Sequence, residues 1–310
     1  MGIADEPLVA KYTLLWYPFR GKARYMSLGV IVKGPEGIVL AADSRVTLEA
    51  MGPGMKQPIH VNFDNATKLL NFGKKHAFVG AVTYGVAVVG LRTAHSYMSE
   101  FELELGDERL TVEQYAQKIG DFFLSRWKDA GMPEAKPGPS MTFIVGGYDH
   151  GQPYGSIFLV EIPHRPQPAP RNPGPQDFGM TWGGQLDVAS RLIHGTDPAL
   201  LPLLKDRLKL SDEQLKDLSQ LLAQQLQYRI PFDILPLQDS IDLATFLIRA
   251  TITMQNLGVT VRGVGGTIEI ATVTRTSGLV YVQKKRVHGE YADSTVCNAV
   301  SGETHHDSNG

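Results

Sequence analysis

Apolar residues gather in short blocks that come in pairs. LGVIVK (28–33) and GIVLAA (37–42) are β-rich runs separated by the turn signal GPE, and together they predict a hairpin. TKLLNF (67–72) and HAFVGAV (76–82) repeat the pattern around GKK. MTFIVGGYD (141–149) pairs with GSIFLVEI (155–162), and TIEIATVT (267–274) with GLVYVQ (278–283). Between the pairs the apolar spacing lengthens to three and four, from Val88 through Leu91, His95 and Met98, which gives 84–127 helical character. A second helix is predicted over 111–128, where Thr111 and Gln114 form a capping box.

Further helices are predicted over QLDVASRLIHG, from Gly184 on, and over 239–257, where Asp239 and Asp242 read as N-cap and first-turn charge. LPLLKDRLKLSDEQLKDLSQLLAQQLQYR reads as one or two amphipathic helices, with Ser211 as an N-cap. Residues 48–66 read as a loop. Residues 163–179, PHRPQPAPRNPGPQDFG, are too proline-rich for regular structure and predict an extended surface loop. The order is strand pairs, two helices, strand pairs, two or three helices and a final hairpin. That alternation predicts an α+β layered sandwich, with helices covering two stacked antiparallel sheets.

Composition changes this picture little. A chain of 310 residues suits one large domain or two modest ones, and 43 % hydrophobic residues suffice for a substantial core. A net charge of −2 supplies no basic field to recruit nucleic acid or an anionic membrane. The one cysteine, Cys297, excludes an internal disulfide framework and fits a reducing compartment; its polar surroundings read as incidental. No apolar run approaches the roughly 20 residues that span a bilayer, and Asp5 and Glu6 stand where a signal peptide is basic, so a cytoplasmic protein is expected. No phosphate-cradling glycine motif, HExxH, paired Cys/His spacing or GxSxG elbow occurs, and no cofactor or metal is expected.

One feature of the pattern asks for chemistry. The apolar run GIVLAA ends on Asp43, with Arg45 two residues on. The ordered set LGVIVKGPEGIVLAADSRVT, NATKLLNF, AFVGAV, TFIVGGYD, WGG and GGTIEIATVTRTSG resembles a proteasome-type subunit, the group of α- and β-type, HslV-like and Anbu-like chains in the N-terminal nucleophile hydrolase superfamily. The resemblance runs from about Leu28 to Gln283 and implies a four-layer αββα sandwich. It divides the chain into an N-terminal extension (1–24), the domain itself (25–288) with a helical insert (197–236) reminiscent of the Anbu type, and a disordered tail (289–310).

The resemblance also implies roles. Family members hydrolyse peptide bonds with an N-terminal Thr whose own amine is the base, above an aspartate and a lysine. Asp43 matches that aspartate and Lys68 that lysine. Thr47 matches the residue whose backbone pairs with a substrate strand, Gly80 the amide of the oxyanion hole, and Arg45 a residue lining the cleft or held in a surface salt bridge. The Thr position falls on Tyr25, which cannot activate itself. Ser27, two residues on and on the same strand face, lies ~6–7 Å away and becomes a nucleophile if its N-terminus is freed after Met26. The family's accessory Asp and Ser fall on Val261 and Val264, and a further Ser on Gly183 or Gly184.

A lysine beside Asp43 would hold the carboxylate charged and lower a nucleophile's pKa; the plainer alternative is an ion pair that only fixes the fold. Two functions therefore stand open. One is a peptidase or amidohydrolase activated by trimming to Ser27. The other is an inactive, α-type-like structural subunit. Both imply a homo-oligomeric ring, the first with a peptide or protein substrate, and neither a nucleic acid nor a membrane.

Overall fold

The first two apolar blocks form β1 (Leu28–Lys33) and β2 (Ile38–Ala42), closed by a 2.9 Å bond from the Gly34 amide to the Gly37 carbonyl. Every residue of both strands is buried, which accounts for runs that do not alternate with polar residues. Ile31, Ile38, Leu40 and Ala42 face a second sheet, while Val30, Val32, Val39 and Ala41 face a helix. The computed structural model describes residues 27–50, 59–259 and 262–286. The expectations for Tyr25, Val261, Cys297, the N-terminal extension and the tail fall outside them.

Next come β3 (Val46–Ala50) and β4 (Ile59–Phe63), which among the described residues pair only with each other, then β5 (Leu69–Asn71) and β6 (Val79–Gly85). The short β7 (Val88–Val89) and β8 (Arg92–Thr93) precede α1 (Met98–Leu105) and α2 (Val112–Asp129). Four strands follow: β9 (Met141–Gly147), β10 (Ser156–Ile162), β11 (Arg165–Arg171) and β12 (Gly179–Gly184). Then come α3 (Asp187–His194), α4 (Leu200–Leu208), α5 (Asp212–Leu226) and α6 (Leu237–Leu257), and finally β13 (Glu269–Thr274) and β14 (Gly278–Gln283). One sheet has the order β12-β1-β2-β13-β14 and the other β11-β10-β9-β6-β5, with all neighbours antiparallel. The fold is thus mixed α and β, built on antiparallel sheets.

Three of the apolar clusters among the described residues join the layers. Between the sheets, Ile31, Leu40 and Ala271 meet Val82 and Ile144. Over the second sheet, α2 sets Tyr115, Ile119, Phe123 and Trp127 against Phe143, Val145 and Val160, with the Phe123 and Phe143 rings 4.6 Å apart. Against the first sheet, α6 packs Ala244 and Ile248 on Val30 and Val39. Each fully buried side chain of this size contributes about 1.5–3 kcal/mol.

Three expectations are corrected. The proline-rich stretch contains a regular strand, β11, because its prolines at 166, 168 and 170 alternate with residues that can bond to β10. Their missing N–H groups fall on the outer side of an edge strand, where nothing is lost. Residues 88–93 form a small hairpin turning at Gly90 (φ 61°), and the helix begins only at Met98. Part of the expected loop 48–66 is the β3–β4 ladder. The expected insert folds as α4 and α5, which bury no residue in the single chain, with Ser211 capping α5 through the Gln214 amide at 3.2 Å.

Candidate active site

Asp43 stands immediately after β2 with no exposed surface, and what surrounds it explains why an apolar strand ends on a carboxylate. Its Oδ1 accepts from the Leu28 amide at 3.0 Å, and its Oδ2 from the amides of Arg45 (3.1 Å) and Gly265 (3.0 Å). Three chain segments thus converge on one side chain. The fourth donor is the Lys68 ammonium, whose Nζ lies 2.7 Å from Oδ1. Lys68 comes from just before β5 in the other sheet, so the pair joins the two sheets at one end.

Lys68 Nζ also donates to Ser27 Oγ at 3.0 Å. All three side chains are buried. Burial pulls the Lys68 pKa below the ordinary lysine value, while the charge of Asp43 and its hydrogen bond oppose the shift. An ammonium 3.0 Å from a hydroxyl lowers the cost of an alkoxide there. Ser27 is fixed by the neighbouring strand: Leu28 pairs with Gly184, and the Gln185 amide donates to the Ser27 carbonyl at 2.7 Å. Gly184 has φ +102°, and a side chain there would overlap the Ser27 carbonyl, so only glycine fits.

The structure therefore brings together Ser27, Asp43 and Lys68. Ser27, expected ~6–7 Å along the strand from the reacting position, is itself the hydroxyl that meets the lysine. Gly183 lies opposite Gly29, beside the same strand end. Arg45 contributes its backbone amide to Asp43, but its side chain is tied elsewhere. Its guanidinium forms a two-pronged pair with Asp64 (2.5 and 2.7 Å) and donates to the Arg262 carbonyl at 3.1 Å. That pairing raises the Arg45 pKa and lowers that of Asp64. Thr47 sits on β3 with its hydroxyl on Asn62 Oδ1 at 2.7 Å.

Two residues lie away from these three. Gly80 pairs with Asn71 and Gly146 inside the second sheet, and a Cβ there would overlap Leu279, so its amide does not reach the site. On β6 it is Thr83 that lies level with the lysine, its amide donating to the Lys68 carbonyl at 3.0 Å, about 10 Å along the strand from Gly80. Val264 turns into the α6 cluster with Leu28, Val30 and Ile248. Its own amide donates to Gln255 Oε1 at 2.9 Å.

Sequence reasoning missed the Gly265 amide on Asp43, the Asp64 clamp on Arg45, and the aromatic ring of Tyr84, which lies against Gly29 and Gly183. Ser27, already a candidate from the resemblance, has a second signal in the sequence. A β-hairpin counted back from Asp43 returns the chain to Leu28 and Ser27, the residues beside it. Among the described residues no group of His, Cys, Asp and Glu side chains is arranged to hold a metal ion, and no helix is long and apolar enough to cross a membrane. No protein-family model matches the sequence, and no curated protein matches it.

Proposed function

We propose that the chain is a proteasome-type subunit of the N-terminal nucleophile hydrolase superfamily, with the four-layer αββα sandwich of that group, and that it cleaves peptide bonds with Ser27 as nucleophile. The observation that carries the reading is Lys68 Nζ held between Ser27 Oγ at 3.0 Å and Asp43 Oδ1 at 2.7 Å, away from solvent. Two antiparallel five-stranded sheets with helices against their outer faces support the fold reading.

Activation breaks the Met26–Ser27 bond. Ser27 Oγ attacks the Met26 carbonyl carbon, and its proton passes to the Ser27 nitrogen, which leaves as an amine. Water then hydrolyses the Met26 ester, releasing residues 1–26 and freeing the Ser27 hydroxyl and amine. In turnover the freed amine takes the Oγ proton as Oγ attacks the substrate carbonyl, and returns it to the leaving amine. Water activated by the same amine hydrolyses the acyl ester. The Lys68 ammonium steadies the oxygen, and Asp43 holds Lys68 in place.

Ring assembly belongs to the same reading. It is supported by the faces of α4 and α5, where Leu203, Leu208 and Leu221 are more than half exposed in the single chain. The rival reading, an inactive structural subunit, is favoured by one observation: Val264 sits in the α6 cluster where the resemblance implies a serine. Hydrolysis of a fluorogenic tetrapeptide separates the two. The proposal expects turnover by the wild-type protein and at least a thousandfold loss in Ser27→Ala. No turnover by any form would leave the structural subunit as the answer.

A further inference from the structure

The α4–α5 hairpin is tied down at its base. The Tyr228 amide donates to the Ile193 carbonyl at 2.8 Å, and Gly195 lies so close to Leu226 that a side chain there would overlap its carbonyl. Both helices are rich in leucine, yet no residue of either is buried in the single chain. Helices of 9 and 15 residues draw their stability from a packed apolar face rather than from propensity. This hairpin therefore lacks a cover.

Its charges are divided between the two helices. Lys205, Arg207 and Lys209 gather at the end of α4 with Asp206 alone against them, while Asp212, Glu213 and Asp217 open α5 with Lys216 alone. Lys205 and Asp212 pair with each other inside the hairpin. Arg207, Lys209, Glu213 and Asp217 are exposed, and none of them enters an ion pair among the described residues.

The spacing matches as well as the charge. Leu203 and Arg207 lie one turn apart on one face of α4, and Asp217 and Leu221 lie one turn apart on one face of α5, in the opposite order. The two leucines are 55 % and 53 % exposed. An α4 laid antiparallel on the α5 of another copy thus sets leucine against leucine and arginine against aspartate. Lys209 and Glu213 extend the charged end.

We infer that the α4–α5 hairpin docks on the same hairpin of a second copy of this chain, the two forming a four-helix bundle about a two-fold axis. The hairpin supplies its own complement, which is the ground for choosing a second copy over an unrelated partner. The inference rests on the assembly reading above, names the contact it uses, and is independent of the chemistry at Ser27.

The test takes the full chain in two charge-reversed forms, Arg207→Glu with Lys209→Glu and Glu213→Lys with Asp217→Lys. Molecular mass is read by size-exclusion chromatography with light scattering. Each form alone sets like charge against like and should run at half the wild-type mass or less. Mixed in equal amounts they should recover the wild-type mass, because the first hairpin is now acidic throughout and the second basic. Recovery on mixing also shows that both forms fold. Wild-type mass kept by both forms, or lost by both and not regained on mixing, overturns the contact and leaves the wider assembly reading standing. A wild-type chain that runs as a monomer of 34.0 kDa overturns both.

Discussion

Asp43 follows Ala42 on β2, and Glu269 stands opposite Ala42 on β13, so two buried carboxylates with lysine partners lie side by side in the first sheet. Their surroundings differ completely. Asp43 receives three backbone amides and an ammonium at 2.7 Å. Glu269, 1 % exposed, has Lys285 Nζ at 4.0 Å, and the backbone amides of Lys68 and Lys285 favour its charged form without any of these groups meeting it in good hydrogen-bond geometry. Burial pushes the Glu269 carboxyl up against the opposing charges of Lys285 and Lys284, and pulls the Lys285 ammonium down against that of Glu269. Each group of the second pair is thus drawn toward its neutral form. A buried ion pair is costly unless other donors complete the shell, and at Asp43 three backbone amides do so. That convergence is what separates the first pair from the second.

The largest effect should come from breaking the completed shell. Asp43→Ala leaves the Lys68 ammonium buried without its partner and three amides without an acceptor, and should cost about 3–5 kcal/mol in urea unfolding. A loss below about 1 kcal/mol would mean that the two pairs are alike after all.

A smaller effect of opposite sign should follow at the second pair. Glu269→Gln removes a buried carboxyl that lacks a well-formed hydrogen bond and should raise stability by about 1 kcal/mol at pH 8. The sign depends on pH. The folded pKa of Glu269 lies above its ordinary value of 4.5, so the native state keeps a proton that the unfolded chain has lost. Wild-type stability therefore falls as pH rises from 4.5 through the folded value, and the advantage of the glutamine should open across that window and be absent below it. Paired unfolding curves at pH 4 and pH 8 check this; a gain that is equal at both would remove titration as its cause.

How much of this was legible in the sequence follows the same division between local and convergent features. The β1–β2 hairpin, the capping box at Thr111 and the cap at Ser211 are encoded within a few residues of themselves, and they form as expected. The closeness of Asp43 and Lys68, 25 residues apart in the chain, was accessible only through the resemblance. Gly80 was misplaced because a strand's residue types do not state its register, and three positions along β6 separate the interior of the sheet from the level of Lys68. β11 was missed because proline content was weighed without its alternation. Tyr84 gave no local signal. Its placement depends on two glycines that pair across strands more than 150 residues apart.

The central claim is that the Lys68–Asp43 pair activates Ser27, and the mass of the purified protein tests it most directly. Intact-mass measurement with N-terminal sequencing, on wild-type and Lys68→Met chains, reads whether the bond before Ser27 has been broken. The account predicts a wild-type chain that begins at Ser27 and a Lys68→Met chain that keeps its first 26 residues. A wild-type chain still carrying those residues, or two variants cut alike, would contradict it.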